Sequence, residues 1–124
     1  MARRARIFWI VAILYWCALF AGTHVPARVI EKVPLNDKVE HLVGYGGLAT
    51  LLFLAFVVGQ RCQPASIAIL VLGILILYGA IDEWTQIPVG RDCDLFDWYA
   101  DVTGSAVALV LLTMLTGYLT AKKT

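Results

Sequence analysis

Residues 37–59 read DKVEHLVGYGGLATLLFLAFVVG. Ionisable side chains crowd the start of this stretch at Asp37, Lys38, Glu40 and His41, and the next charged residue is Arg61. An uncharged run this rich in Leu, Val and Phe is a candidate transmembrane helix, for which about 17–25 residues are needed. The medium dictates the conformation. In hydrocarbon a backbone N–H or C=O meets no water, so its hydrogen bonds must close within the segment, and a helix does this. The polar head of the stretch then belongs at one membrane boundary.

The same pattern recurs on both sides. Residues 7–22 and 65–81 are uncharged and apolar, and residues 98–119 are interrupted only by Asp101. The expected architecture is therefore all-α: a four-helix transmembrane bundle filling a single domain over residues 1–124, with helices at about 7–23, 39–59, 65–87 and 96–119. Composition agrees. The chain is 60% hydrophobic and 15% charged, against about 45–50% and 25% in soluble proteins. Pro64 suits the first turn of the third helix, where its missing N–H is no loss. The basic flank Arg3, Arg4 and Arg6 also fits a signal peptide, and Arg3-Arg4 a twin-arginine signal. No convincing small-x-small cleavage site follows, so the first run is expected to be a retained helix.

Charge is distributed unevenly. Placed inside with the N-terminus, the inner segments hold Arg3, Arg4, Arg6, Arg61, Lys122 and Lys123 and no acid. The other side holds Arg28, Lys32, Lys38 and Arg91 together with all nine Asp and Glu residues. Basic residues favour the cytoplasmic side, so the expected topology is N-in, C-in. A net charge of only +1 makes no case for nucleic acid. Cys17, Cys62 and Cys93 form no CxxC pair, and no zinc motif is present. By this topology Cys62 and Cys93 lie on opposite sides and cannot bridge.

Helical rise sets the depth of the polar residues. Counted outward from the inner ends, His41 lies about 28 Å up the second helix, Asp82 about 26 Å up the third and Asp101 about 26 Å up the fourth. The hydrocarbon is about 30 Å thick, so three helices place ionisable groups at one level just inside the outer boundary. Helical spacing groups them by face. Lys38, His41, Leu42 and Tyr45 form one stripe, and Asp82 and Gln86 a second with Glu83 beside them. Asp94, Asp97, Asp101 and Gly104 or Ser105 form a third. Such residues are expected to face the bundle interior, because a charge facing lipid is costly. Ala100, Gly104 and Ala108 repeat at the spacing that lets membrane helices approach closely.

Several chemistries are open to this cluster. His41 could act as acid, base or ligand near neutral pH, with Asp82, Glu83 and Asp101 as further catalytic candidates. Arg91 offers donors suited to phosphate or carboxylate. The carboxylates, Asp94 and Asp97 among them, could hold a divalent cation or share a proton, although no metal is indicated by a motif. The plainer alternatives are helix caps at Asp94 and Asp97 and a structural ion-pair network. His24 reads as an interfacial residue.

A family resemblance falls on these same positions. The string Asp37-Lys38-Val39-Glu40-His41-Leu42-Val43-Gly44-Tyr45 resembles the D-K-x-x-H-x-x-x-Y signature of VanZ-like membrane proteins. Asp82-Glu83 with Gln86, then Gly90-Arg91, Asp94 and Asp97, is similar to that family's D/E-E-x-x-Q and R-x-x-D-x-x-D stretch. Ala100 to Gly104 resembles its closing A-N-x-x-G, with Asp101 where the family commonly has asparagine. The resemblance implies a small bacterial inner-membrane protein, linked through its namesake to resistance against glycopeptides of the teicoplanin type. It implies binding residues at Asp37, Lys38, His41, Tyr45, Glu83, Gln86, Arg91, Asp94 and Asp97, and it assigns no reaction or cofactor.

The expected function is to bind or act on a lipid-linked or phosphate-bearing envelope component at the outer face. An acid–base or metal-assisted hydrolase or transferase, a transporter and a structural membrane subunit are the alternatives.

Overall fold

A computed structural model describes residues 3–26, 37–59 and 63–122. It contains four α-helices: α1 (Arg3–Thr23), α2 (Asp37–Gly59), α3 (Pro64–Gln86) and α4 (Leu95–Ala121). A short 3-10 turn, Ile87–Val89, continues α3, and no strand occurs among the described residues. All four helices are long and apolar enough to cross a membrane, and the fold is the expected all-α four-helix bundle. Arg28, Lys32, Arg61, Cys62 and Lys123 lie outside the described residues.

The helices begin a little earlier than the apolar runs do. α1 takes in Arg3, Arg4 and Arg6, whose long side chains can carry their charge past a helix end to the water boundary. α2 starts at Asp37, so Asp37 and Glu40 fall in its first turn. Negative charge there meets the unpaired N–H groups and the positive end of the helix dipole. Pro64 occupies the first turn of α3 as expected.

α2 is the central helix. Of its span 44% is buried, against 11% to 22% for the other three, and it packs on α1, α3 and most extensively on α4. Tyr45, Leu48, Leu52 and Phe53 of α2 meet Ile67, Val71 and Leu75 of α3 and Leu109 of α4 to form the apolar core. The bundle exterior is also apolar: Leu14, Ile69, Leu77, Leu111 and Met114 are all more than half exposed. A soluble monomer rarely shows so much contiguous apolar surface, whereas lipid covers it at no cost.

Two glycines set the geometry that matters for the site. At Gly104 a Cβ would collide with the Leu42 carbonyl, and the Gly104 carbonyl in turn lies 3.3 Å from where a Cβ on Gly46 would stand. α2 and α4 thus touch backbone to backbone within a turn of the acidic end, as the small-residue spacing in α4 predicts. Gly90 takes the left-handed conformation at φ 78°, which glycine adopts without steric penalty. Its N–H donates to the Ile87 carbonyl (3.0 Å), and the Arg91 N–H donates to Gln86 (3.4 Å). This closed turn folds Arg91 back over the end of the bundle.

Candidate functional site

His41, one turn inside α2, is almost completely buried. Its Nδ1 lies 2.9 Å from Asp101 Oδ1 on α4 and 3.8 Å from Glu83 Oε1 on α3. Asp101 has room there because position 79 of α3 is glycine; a Cβ on it would come within 3.1 Å of Asp101 Oδ2. Glu83 is held from two sides. Its Oε2 accepts the Asp94 N–H (2.9 Å) and its Oε1 accepts from Gln86 Nε2 (3.3 Å).

The neighbouring carboxylates have their own donors. Asp82, fully buried, accepts from the Thr23 hydroxyl of α1 (3.2 Å) and distantly from the Tyr78 hydroxyl (3.4 Å) and Gln86 (3.5 Å). Lys38 Nζ donates to Asp94 (3.0 Å) and Asp97 (3.1 Å), tying α2 to the start of α4. Arg91 forms a fork on Asp37, with NH2 2.7 Å from each carboxylate oxygen, and its NH1 donates to the Thr23 carbonyl (3.1 Å). Asp94 caps α4 by accepting the Phe96 N–H at 2.8 Å. That amide, and then the Lys38 ammonium, holds the Asp94 carboxyl below its ordinary value of 3.8.

The three stripes therefore meet, and the level that helical rise assigns to His41, Asp82 and Asp101 is where α2, α3 and α4 converge. Two residues depart from expectation. Leu42 is 42% exposed and points outward: it lies about 100° round the helix from His41, and an aliphatic side chain is at home in lipid. His24 does more than sit at the interface. Its ring stacks on Phe20 at 3.9 Å, Nε2 lies 3.1 Å from the Thr85 hydroxyl, and Nδ1 lies 3.8 Å from Asp82. Thr23, which carries no signal in the sequence beyond its place at the outer end of the first apolar run, brings α1 into the site.

Four buried polar atoms have no hydrogen-bond partner among the described residues: His41 Nε2, Tyr45 Oη, Asp101 Oδ2 and Ser105 Oγ. They belong to two i, i+4 pairs on the facing helices α2 and α4. Buried polar groups are nearly always satisfied, so four orphans along one seam call for a physical explanation. A cavity of about 170 Å³ has His41 in its wall, but not the other three residues, and is bounded further by Leu19, Gly22, Thr23, Asp37 and Arg91. A larger groove between α3 and α4, walled by Ala68, Leu72, Leu109 and Met114 among others, is apolar and offers no comparable chemistry.

Charge is unbalanced within the cluster. Among the described residues Lys38 and Arg91 are engaged by Asp94, Asp97 and Asp37. Among the described residues, Asp82, Glu83 and Asp101, each no more than 2% exposed, face the imidazoles of His24 and His41 as their basic side chains. Two sets of side chains have the mutual spacing to hold a metal ion: His41, Glu83 and Asp101, and Asp37, His41 and Asp97.

Comparison of the chain with protein-family models, with curated proteins and with solved structures finds no match.

Proposed function

We propose that this chain is a VanZ-like protein of the bacterial inner membrane that binds, and acts on, a lipid-linked, phosphate-bearing component of the cell envelope at the outer face. The observation that carries this reading is the cavity between α1 and α2. His41, whose buried Nε2 has no hydrogen-bond partner among the described residues, lines that cavity, and Arg91 stands beside it. A guanidinium has five donors, and three are used in the contacts with Asp37 and Thr23. The remaining donors and a protonated His41 Nε2 suit phosphate oxygens. The cavity adjoins the end of the apolar bundle, where a lipid headgroup would lie.

A second reading, acid–base catalysis at the same place, is favoured by one contact. Nδ1 of His41 lies on Asp101 at 2.9 Å, which fixes the ring of a residue that lines the cavity. A carboxylate that orients an imidazole in this way prepares its free nitrogen for proton transfer. Transport is less well supported. Below the cluster the core passes to Leu48, Leu52 and Phe53, which offer an ion no polar relay.

The test is binding of a polyprenyl phosphate to the purified protein in nanodiscs, with phosphatidylglycerol as the competing anionic lipid. Saturable binding that is lost in Arg91→Ala and His41→Ala is expected. Absence of binding, or binding indifferent to both substitutions, overturns the reading. In cells, deletion of the gene is expected to raise susceptibility to teicoplanin-type glycopeptides, with rescue by the wild type and not by His41→Ala. Product formation that follows the ionisation of His41 would separate the catalytic reading from simple binding.

A further inference from the structure

We propose that His41, Glu83 and Asp101 bind one divalent transition-metal cation, of the zinc or manganese class. The site rests on its own ligand geometry and does not require the headgroup reading.

Charge gives the first reason. Three carboxylates with at most 2% exposure lie where α2, α3 and α4 converge, and among the described residues Lys38 and Arg91 are paired with Asp94, Asp97 and Asp37 instead. Uncompensated charge in a low-dielectric interior must be met by protons or by a cation. Asp101 Oδ1 is already opposite His41 Nδ1, and its Oδ2 is buried with no hydrogen-bond partner among the described residues. A cation beside this carboxylate supplies the missing charge and removes the need for a donor.

Geometry gives the second reason. Ligand bonds of about 2.1 Å in a tetrahedral set place the ligand atoms about 3.4 Å apart. His41 Nδ1 lies 2.9 Å from Asp101 Oδ1 and 3.8 Å from Glu83 Oε1, which bracket that edge. One imidazole and two carboxylates suit zinc or manganese better than magnesium or calcium, which favour oxygen alone. Three protein ligands leave a position open for a ligand oxygen.

The supports of the ligands are already built. Glu83 has its Oε2 fixed by the Asp94 N–H, which turns Oε1 toward His41. With Nδ1 on the cation, the His41 proton sits on Nε2, whose nearest carboxylate is Asp37 at 4.0 Å. Asp37 is in turn clamped by Arg91. A metal-bound histidine whose other nitrogen faces a carboxylate is the usual arrangement around such ions. The alternative set of Asp37, His41 and Asp97 is less suited, because Arg91 and Lys38 already neutralise its two carboxylates.

The test uses full-length protein stripped with chelator in detergent and titrated calorimetrically with Zn²⁺ and with Mn²⁺. One cation per chain is expected. Glu83→Gln and Asp101→Asn should each weaken binding at least tenfold, and Asp92→Asn, an exposed acid at the same end, should leave it unchanged. The Mn²⁺-loaded wild type should show ¹⁴N coupling from an imidazole by pulsed electron paramagnetic resonance, lost in His41→Gln and kept in His24→Gln. Failure of the wild type to bind either cation, absence of the nitrogen coupling, or equal binding by Glu83→Gln and Asp101→Asn overturns the proposal. The first two outcomes need no variant to fold. Polyprenyl phosphate binding by a wild type that binds neither cation would leave the headgroup reading standing while removing this one.

Discussion

At the scale of single residues, the contact between His41 and Asp101 separates structural from functional roles. Removing one member of a buried pair leaves the other polar group uncompensated, which costs about 3–5 kcal/mol, whereas replacing both with apolar residues is often neutral or stabilising. His41→Ala is therefore expected to destabilise the bundle by roughly that amount in thermal unfolding. The double variant His41→Leu with Asp101→Leu should recover most of the loss. If the pair is only a structural tie, the recovered variant regains every cellular phenotype. If it serves a ligand, stability returns and polyprenyl phosphate binding does not. Tyr45 gives a finer test. Its hydroxyl is buried with no hydrogen-bond partner among the described residues, and removing an unsatisfied buried group should not harm the fold. Tyr45→Phe is expected to keep the unfolding midpoint or raise it, and a loss exceeding about 1 kcal/mol would show that the hydroxyl has a hydrogen-bond partner.

At the scale of helices, the site depends on how closely α2 and α4 run. A methyl group at position 104 would overlap the Leu42 carbonyl, a backbone atom that cannot rotate away. Gly104→Ala must push the helices apart and is expected to cost about 1–3 kcal/mol, with cation and lipid binding falling together as His41 and Asp101 separate. Gly73 of α3 supplies the control, since a Cβ there meets nothing within 4 Å. Gly73→Ala should be neutral or stabilising by up to about 1 kcal/mol, because alanine is the better helix former. Equal melting temperatures for the two variants would refute the close-approach argument. This part of the molecule was legible in the sequence. Uncharged runs gave the helices to within a few residues, helical rise gave the common level, and the spacing through Gly104 gave the contact. Period alone could not choose partners across the bundle. It assigns Lys38 and Arg91 to the cluster, but which carboxylates they take depends on helix rotation and on the turn at Gly90. It placed Leu42 with its stripe because position 42 borders the buried face, and it missed Thr23 because a threonine at a helix end carries no charge or period.

At the scale of the whole molecule, orientation decides which compartment the cluster serves. α1 runs from Arg3 to Thr23 and α4 from Leu95 to Ala121. Thr23 and Asp101 belong to the cluster, so the basic ends at Arg3, Arg4, Arg6 and Lys122 lie at the far end of the bundle. Positive charge is retained on the cytoplasmic side during insertion, and the acidic end, which carries no such excess, is the one expected to cross. Cys93 reports on this directly: it is exposed and unpaired in the segment between the Ile87–Val89 turn and α4. With Cys17→Ala and Cys62→Ala in place, Cys93 is the sole thiol, and a membrane-impermeant maleimide should label it in intact spheroplasts. In a background with all three native cysteines replaced by alanine, Lys122→Cys should be labelled only after the membrane is opened. The reverse pattern would put the cluster in the cytoplasm and remove the extracytoplasmic ligand, while leaving the fold and the cation site as they stand. Labelling of both positions in intact cells would instead mean that the chain inserts in both orientations. That outcome would follow from a charge bias as modest as six basic residues against four, and it would predict that adding lysines beside Lys122 restores a single orientation.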